Sequence, residues 1–159
     1  MGRHPPSGDV RSGRSERRGA RDRLQECWDR TSPSDHAQRC VIAHYLADQQ
    51  TDLAAETDWD ERAVAEHAQV EESDFTALGI DSAAGFAPSL HLNLGDDYFR
   101  AGHLEMTREQ LAKARSAKDL LPDDGYGAMI RAGIDHLEQR LEEAVTRGTP
   151  QAGGSCSAR

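Results

Sequence analysis

Apolar residues recur every three or four positions along most of this chain, which is the spacing that places side chains on one face of an α-helix. The clearest example is a stripe near the C-terminus, formed by Met129, Ile130, Ile134, Leu137, Leu141 and Val145. Charged residues occupy the opposite face of the same segment. No segment of the sequence alternates apolar and polar residues over the length of a strand. The pattern therefore predicts an all-α protein.

Capping residues and prolines divide the first half of this pattern into three helices. A first helix is predicted over residues 21–30, because Pro33 follows and disfavours helix in the residue before it. A second helix is predicted to follow an N-cap at Ser34 or Asp35. Asp52 then opens a third helix, whose first half is rich in acidic residues that favour the positive end of the helix dipole.

Three further helices are predicted in the second half. Pro88 suits the first turn of the fourth helix and Gly102 suits its C-cap, since glycine tolerates a left-handed backbone. A fifth helix is predicted over residues 104–120, and a sixth begins after Asp124-Gly125. Residues 71–86 fit either a short helix or an ordered loop. The apolar side chains of this segment are expected to be buried, namely Phe75, Leu78 and Ile80.

Composition sets apart both ends of the 159-residue chain. Residues 1–20 are rich in Arg, Gly, Ser and Pro. Such a segment cannot bury enough apolar surface to offset the entropy of ordering, so it is predicted to be a disordered basic arm. Residues 148–159 are predicted to be a flexible tail, which leaves residues 21–147 as one helical domain.

The net charge of −9 is unevenly distributed along the chain. The first 23 residues hold seven arginines and three acidic residues, a net charge of +4, so the remainder carries −13. An acidic body argues against a nucleic-acid-binding domain, because contact with phosphates needs a basic face. It suits a soluble protein, or one whose partner is basic. The abundance of alanine and arginine, with only two lysines, is typical of a bacterial protein.

Cysteine usage and hydropathy bear on location. The three cysteines, at positions 27, 40 and 156, form no CxxC pair, and the N-terminus lacks the apolar segment of a secretory signal. These features predict reduced thiols and a cytoplasmic protein. No apolar run approaches the roughly 18 residues of a membrane helix. We therefore expect no membrane partner, and nothing in the sequence calls for a cofactor.

Residues 88–122 carry an ordered series of small and large positions, formed by Leu94, Gly95, Tyr98, Thr107, Leu111 and Ala114. This order resembles the tetratricopeptide repeat (TPR), a helical hairpin of about 34 residues. Thr107 departs from the usual alanine, and the closing proline comes late, at Pro122. Residues 39–69 resemble a looser copy of the same unit. The resemblance implies stacked antiparallel helical hairpins, with about five to six helices in all.

The resemblance also implies a function, because TPR units seldom carry chemistry and usually hold a protein or peptide in a concave groove. The first helix of each hairpin lines that groove. The matching positions here are Arg39, Ala43, Leu46 and Ala47 in the second helix and Ser89, Leu92, Asp96, Phe99 and Arg100 in the fourth. Asp96 stands where an asparagine usually helps to clamp a carboxylate, so a chaperone-tail clamp is not expected. We predict a non-catalytic interaction module.

Two alternative functions, zinc binding and regulation through nucleic acid, are also compatible with the sequence, and so is a homodimer. His36, Cys40 and His44 recur every four residues and suit a zinc site, although one straight helix offers only two or three ligands to one ion. The second alternative is a regulatory protein whose arginine-rich arm touches nucleic acid. Because two and a half hairpins are few for a solenoid, the exposed face of the first or last helix is also expected to pair in a homodimer.

The remaining polar groups are expected to be structural. His91 and Asn93 are expected to form hydrogen bonds with the second helix. Two groups of carboxylates are expected to form a solvated acidic surface: Asp96 with Asp97, and Asp58 with Asp60 and Glu61. Nothing in the sequence indicates the burial that shifts the pKa of a carboxyl group. No catalytic motif is present, which predicts no enzyme activity.

Overall fold

A computed structural model describes residues 9–80 and 83–148 of the chain, and over these residues it is helical with no strand. The predicted all-α class is therefore confirmed. Seven α-helices follow one another in that part of the chain: α1 (Asp9–Arg30), α2 (His36–Asp48), α3 (Leu53–His67), α4 (Glu72–Ala77), α5 (Ala83–Arg100), α6 (Leu104–Ser116) and α7 (Gly125–Gly148). A short 3₁₀ turn at Lys118–Leu120 separates α6 from α7.

The helices form two antiparallel hairpins, α2 with α3 and α5 with α6, and α7 closes the stack against α5 and α6. Within the first hairpin, His36 at the start of α2 meets Glu66 at the end of α3, with 2.7 Å between Nδ1 and Oε2. Between the hairpins α3 packs against α5, where Tyr98 donates a 2.6 Å hydrogen bond to Glu61. The predicted arrangement of stacked helical hairpins is confirmed, although the described residues form seven helices rather than about five to six, because Glu72–Ala77 form the additional α4.

The first helices of the hairpins run in one direction with α7. Arg140 of α7 contacts Asp96 of α5, and Gly133, one to two turns earlier in α7, lies against Leu92, one turn earlier in α5. The contacts advance together along both helices, so α5 and α7 are parallel. Since α3 is antiparallel to both α2 and α5, the helices α2, α5 and α7 share one direction.

Two apolar clusters form the core. The first joins the α2–α3 hairpin to α4 and the start of α5 and contains the fully buried Cys40 and Phe75. The second joins α6 to α7 and is built on the predicted C-terminal stripe, with Ile134 and Leu137 at its centre. Met129 lies outside this cluster with 61% of its surface exposed. The stripe is thus buried in its middle and open at its first position.

A left-handed glycine and two backbone hydrogen bonds account for the tight turn between α5 and α6. Gly102 has a φ of 80°, as expected for the left-handed residue that follows a helix. His103 donates its backbone N–H to Tyr98 and Gly102 donates to Phe99, the pair of bonds that defines a Schellman motif. The predicted C-cap at Gly102 is confirmed. At the start of α3 the side chain of Asp52 accepts a hydrogen bond from the Ala55 N–H, which confirms that N-cap.

The starts of α1 and α5 differ from the sequence prediction. Helix α1 begins at Asp9 rather than near residue 21, so residues 9–20 are helical instead of an extended arm. Arginine and alanine both favour helix, which permits this extension without a large core contact. The rest of the predicted arm, residues 1–8, and the predicted tail from residue 149 lie outside the described residues.

Pro88 was expected at the first turn of a helix, but α5 starts five residues earlier and holds Pro88 in its interior. A proline there removes a hydrogen bond of the helix. Packing offsets this cost, because Ala83 and Gly85 are buried and His67 donates from Nε2 to the Ala83 carbonyl at 2.8 Å. Residues 71–86 were predicted to form either a short helix or an ordered loop. Within this segment, Glu72–Ala77 form the short helix α4.

Burial within that segment is partly as predicted. Phe75 of α4 is fully buried, and Ile80 packs against the first apolar cluster. Leu78 was expected to be buried as well, yet 39% of its surface is exposed. It is the residue that ends α4, so the helix direction turns it away from the core.

Candidate functional site

A polar cavity of about 280 Å³ opens between the parallel helices α2, α5 and α7, with α3 beside it. Carboxylates of three helices face it, together with one imidazole, one guanidinium and a few apolar side chains. Its lining is Asp48, Glu56, Leu92, Asn93, Asp96, Asp97, Gly133, His136, Leu137 and Arg140. The cavity is acidic because its four carboxyl groups outnumber its single arginine.

Leu92 fixes how closely α5 and α7 approach at this cavity. A Cβ at Gly133 would lie 2.7 Å from the Leu92 Cδ2 atom, so glycine leaves the space that the leucine occupies. One turn along, a Cβ at Gly95 would lie 3.2 Å from Leu137 and 3.3 Å from Gln110. The two glycines hold three helices together behind the cavity, and the polar side chains of α5 are thereby presented to α7.

A buried pair of carboxyl groups lies behind one wall. Asp97 of α5 is 1% exposed and Asp60 of α3 is 2% exposed. The expectation that both belong to a solvated acidic surface was wrong. Oδ1 of Asp60 and Oδ2 of Asp97 are buried and have no hydrogen-bond partner in the described part of the chain. Two adjacent buried carboxylates, each with one oxygen that receives no hydrogen bond, would be strongly unfavourable, so their protonation state matters.

One shared proton resolves this arrangement. Burial, and then the neighbouring charge of Asp60, raise the pKa of Asp97 to about 8. Burial also raises the pKa of Asp60, while the nearby His44 and the hydrogen-bonding contact with Asp97 oppose that rise. The neutral Asp97 then donates a hydrogen bond to the Asp60 carboxylate, and each of the two carboxyl groups has a partner. Near neutral pH the pair holds one negative charge.

Histidine 44 of α2 stands on the far side of this pair. Its Nδ1 lies 3.9 Å from Oδ1 of Asp60, which is longer than a hydrogen bond. The ring packs edge-on against Phe86 with centroids 5.3 Å apart. Asp97, Asp60 and His44 therefore form a line of buried polar groups that leads from the cavity through α3 to α2.

Two arginines neutralise much of the carboxylate at the rim. Arg100 donates to both oxygens of Glu56 at 2.9 Å each and to Asp97 at 3.2 Å. Arg140 of α7 donates to Asp96 at 2.6 Å and lies 4.4 Å above the ring of Phe99. These contacts fix both guanidinium groups. Asp48 has neither an ion pair nor a hydrogen bond from its side chain to the rest of the described chain.

The structure places the predicted groove residues in three different settings. Leu92 and Asp96 line the cavity, and Arg100 and Phe99 adjoin it through the contacts above. The remaining four small or apolar positions are buried in helix packing and present no open surface: Ala43, Leu46, Ala47 and Ser89. The three residues of α2 are buried because that helix packs on α3 with its alanine-rich side, and the Ser89 hydroxyl donates to the Phe86 carbonyl within α5.

Arg39 lies at the opposite end of α2 from the cavity. Its Nε donates to Glu66 at 2.6 Å, and its guanidinium lies 3.9 Å above the Trp28 ring. Trp28 in turn meets Trp59 edge-on at 5.0 Å. Arg39 thus ties α1 to the first hairpin and does not join Leu92 and Asp96.

The residues of the zinc hypothesis are engaged separately. His36 donates to Glu66, and His44 adjoins Asp60. Cys40 is fully buried, and burial, followed by the charge of Glu66, raises the pKa of its thiol to about 12, which disfavours the thiolate that binds zinc. Over the described residues, no three His, Cys, Asp or Glu side chains are grouped so that they could hold a metal ion.

The polar residues of α5 differ in their partners from the prediction. His91 donates from Nδ1 to Oε1 of Gln110 in α6 at 2.8 Å, so it bridges its own hairpin rather than reaching α2. Burial lowers the pKa of His91 and favours its neutral form. Asn93 lines the cavity. The periodicity of α5 alone is compatible with a contact of His91 to α2 or to α6. The register of α5 against α6 places it beside Gln110.

Several contributors to the site were not assigned to a binding face from the sequence, among them Asp60, Asp97, His136 and Arg140. The sequence contains a signal for the burial of Asp60 and Asp97. Asp97 is three residues after Leu94, and Asp60 is three residues before Ala63, so each lies on the buried stripe of its helix. An acidic residue on such a stripe indicates a buried carboxyl group. His136 and Arg140 lie at polar positions of α7, and only the tertiary structure brings them to the cavity.

No protein-family model, no curated protein and no solved structure matches this chain. Among the described helices, none is both long enough and apolar enough to cross a membrane.

Proposed function

We propose that this protein is a non-catalytic, TPR-like interaction module that holds a basic segment of a partner protein at the cavity between α2, α5 and α7. The observation that carries the proposal is the acidic lining of that cavity, whose carboxylates come from three helices of the stack. A cleft with one sign of charge raises the local concentration of the opposite charge and steers its approach.

The arrangement of the helices supports this function. The cavity lies between helices that share one direction, which are the first helices of the two hairpins and the closing helix. In stacked hairpin proteins this layer forms the concave side, and the concave side is the usual binding surface. The resemblance of residues 88–122 to a TPR unit agrees with it, since Gly95 lies where α5, α6 and α7 approach most closely.

The distribution of charge supports a basic partner. Glu56 and Asp96 are held by Arg100 and Arg140, so they shape the rim. The exposed carboxylate of Asp48 remains available for a cationic side chain of the partner. The chain beyond residue 23 carries a net charge of −13, which adds long-range attraction for such a segment.

A charge-reversal experiment tests the proposal. The full chain, Asp48→Lys and Asp58→Lys serve as baits for capture from a lysate of the source organism, with quantitative mass spectrometry as the readout. Asp48 lines the cavity, whereas Asp58 is exposed on another side of α3, and both changes alter the net charge equally. We expect a partner with a basic segment that is captured by the full chain and by Asp58→Lys, at least tenfold less by Asp48→Lys, and less at high salt.

Equal capture by the two variants would place binding elsewhere on the molecule. Failure to capture any protein with the unchanged chain would count against the interaction module itself. Circular dichroism of each bait checks that the helical fold is retained, so that a loss of binding is not a loss of structure.

A further inference from the structure

We propose that a lysine side chain of the partner, when it enters the cavity, expels the proton that Asp97 shares with Asp60, so that partner binding releases one proton. This inference rests on the proposed function and adds a regulation to the same site. It makes recognition of a basic segment sensitive to pH over the physiological range.

Asp97 is the member of the buried pair that also lines the cavity, and it connects the cavity to Asp60. It lines the cavity on one side, while Asp60 and His44 lie behind it and away from solvent. Its Oδ1 accepts a hydrogen bond from Arg100 at 3.2 Å, and its Oδ2 has no donor among the described residues unless the carboxyl group itself carries a proton. A cation in the cavity therefore acts on a carboxyl group that Arg100 contacts at Oδ1 only.

The charges around Asp97 come from all four helices that surround the cavity. They are His44 and Asp48 of α2, Glu56 and Asp60 of α3, Asp96 and Arg100 of α5, and His136 and Arg140 of α7. The acidic groups outnumber the arginines, and Arg100 and Arg140 are already paired with Glu56 and Asp96. An added ammonium group supplies the missing positive charge, which favours the ionised form of Asp97.

The balance of the step is simple. A protonated Asp97 carboxyl group and an alkylammonium group become a carboxylate and the same ammonium group in the adjoining cavity, and one proton passes to solvent. No covalent bond other than the O–H bond of Asp97 breaks, and the partner keeps its charge. Because binding releases a proton, affinity falls by up to about tenfold for each unit by which pH is lowered within the titration range of Asp97.

The chemistry of the cavity favours an ammonium group over a metal ion. The described side chains provide no cluster of three metal-ligating groups. They do provide separate acceptors at Asp48 and Asn93, in addition to Asp97, for the three donors of a lysine ammonium. The volume of about 280 Å³ leaves room for one extended side chain but not for a folded peptide.

Carbon-13 NMR of the full chain labelled at aspartate carboxyl carbons tests the inference. The probe is Nα-acetyl-lysine methylamide, and its neutral counterpart is Nα-acetyl-norleucine methylamide at matched ionic strength. Asp97→Asn identifies the Asp97 resonance by its absence. We expect the lysine probe to lower the midpoint of the Asp97 titration by at least about one pH unit, while the norleucine probe leaves it unchanged.

Two results would overturn the inference, and they differ in what they say of the proposed function. If the lysine probe shifts the backbone resonances of Asn93 and His136 but not the titration of Asp97, a cation binds without releasing the proton, and the proposed function stands. If the lysine probe shifts no cavity resonance, the cavity is not a lysine site, and the capture experiment with Asp48→Lys judges the proposed function independently.

Discussion

Asp97 of α5 and Asp60 of α3 face each other across the interface between the two helical hairpins, and each has a buried carboxyl oxygen without a donor unless the pair holds a proton. Buried carboxyl groups are uncommon because their charged forms lose hydration. Asp97 also lines the acidic cavity, so the packing of the two hairpins and the electrostatics of the cavity depend on the same two residues.

Replacing Asp97 by asparagine fixes the neutral form of this group and should change how stability depends on pH. The pKa of Asp97 is raised to about 8 in the folded protein, above its value in the unfolded chain. Its contribution is therefore fully present below the unfolded pKa and is lost as pH rises through about 8. The loss amounts to at most about 1.4 kcal/mol of unfolding free energy per pH unit within that window.

We therefore expect Asp97→Asn to gain stability relative to the unchanged chain as pH rises, with the difference levelling off above about pH 8. Urea unfolding at a series of pH values measures it. Asp58→Asn, which removes an exposed carboxylate from α3, controls for the change in net charge. A stability difference between Asp97→Asn and the unchanged chain that is constant with pH would show that Asp97 is ionised throughout.

Glycine 127 is predicted to be irreplaceable in α7. A Cβ at this position would lie 1.9 Å from the carbonyl oxygen of Pro122, which is backbone and cannot rotate away. Gly127→Ala should lower the free energy of unfolding by roughly 1–3 kcal/mol, as overpacking does. Gly125→Ala is the matched control, because no atom lies within 4 Å of its added Cβ, and it should be neutral or slightly stabilising. Equal effects of the two changes on thermal unfolding would contradict the packing of α7 on this turn.

Phenylalanine 75 is predicted to anchor the short α4. It is fully buried and meets Phe86 of α5 with ring centroids 5.6 Å apart. Phe75→Ala should cost about 3–5 kcal/mol of unfolding free energy, since it removes a large side chain from the first apolar cluster. Leu78→Ala, at the exposed end of the same helix, should cost less than about 1 kcal/mol. Chemical denaturation measures both, and a mild effect of Phe75→Ala would mean that α4 is not part of the core.

The two cysteines in the described part of the chain should differ in reactivity. Cys27 is exposed, whereas Cys40 is buried and burial raises its thiol pKa to about 12. Only the thiolate reacts readily with alkylating reagents. Iodoacetamide at neutral pH should therefore modify Cys27 in the folded protein and Cys40 only after unfolding, as followed by peptide mass spectrometry. Comparable rates at both residues in the native protein would contradict the packing of α2.

Much of the fold follows from local features of the sequence. Asp52 caps a helix with its side chain, and Gly102 ends a helix because it accepts a left-handed backbone. The start of α3 and the end of α5 were therefore predictable. The beginning of α5 was not, because Pro88 argues locally for a helix start while the burial of Ala83 and Gly85 extends the helix upstream. That burial depends on packing against other helices, as where His67 of α3 donates to the Ala83 carbonyl, and the residues around Pro88 do not encode it.

The candidate site was less predictable than the fold. Leu92 and Asp96 were expected on the binding face from the TPR resemblance, and both line the cavity. Asp97 and Asp60 occupy stripe positions, but their pairing depends on the register of α3 against α5. A single sequence contains each helix's periodicity and not the register between helices. The same limit applies to Arg140, which reaches Asp96 from α7.

Site-specific photo-crosslinking tests the central claim most directly. Benzoylphenylalanine replaces His136, which lines the cavity from α7, or Asp58, which is exposed on another side of the stack. We predict that, in cells of the source organism, the probe at position 136 crosslinks a partner through a lysine- or arginine-rich segment and the probe at position 58 does not. Crosslinking of the same partner from position 58 alone would contradict a binding site at the cavity.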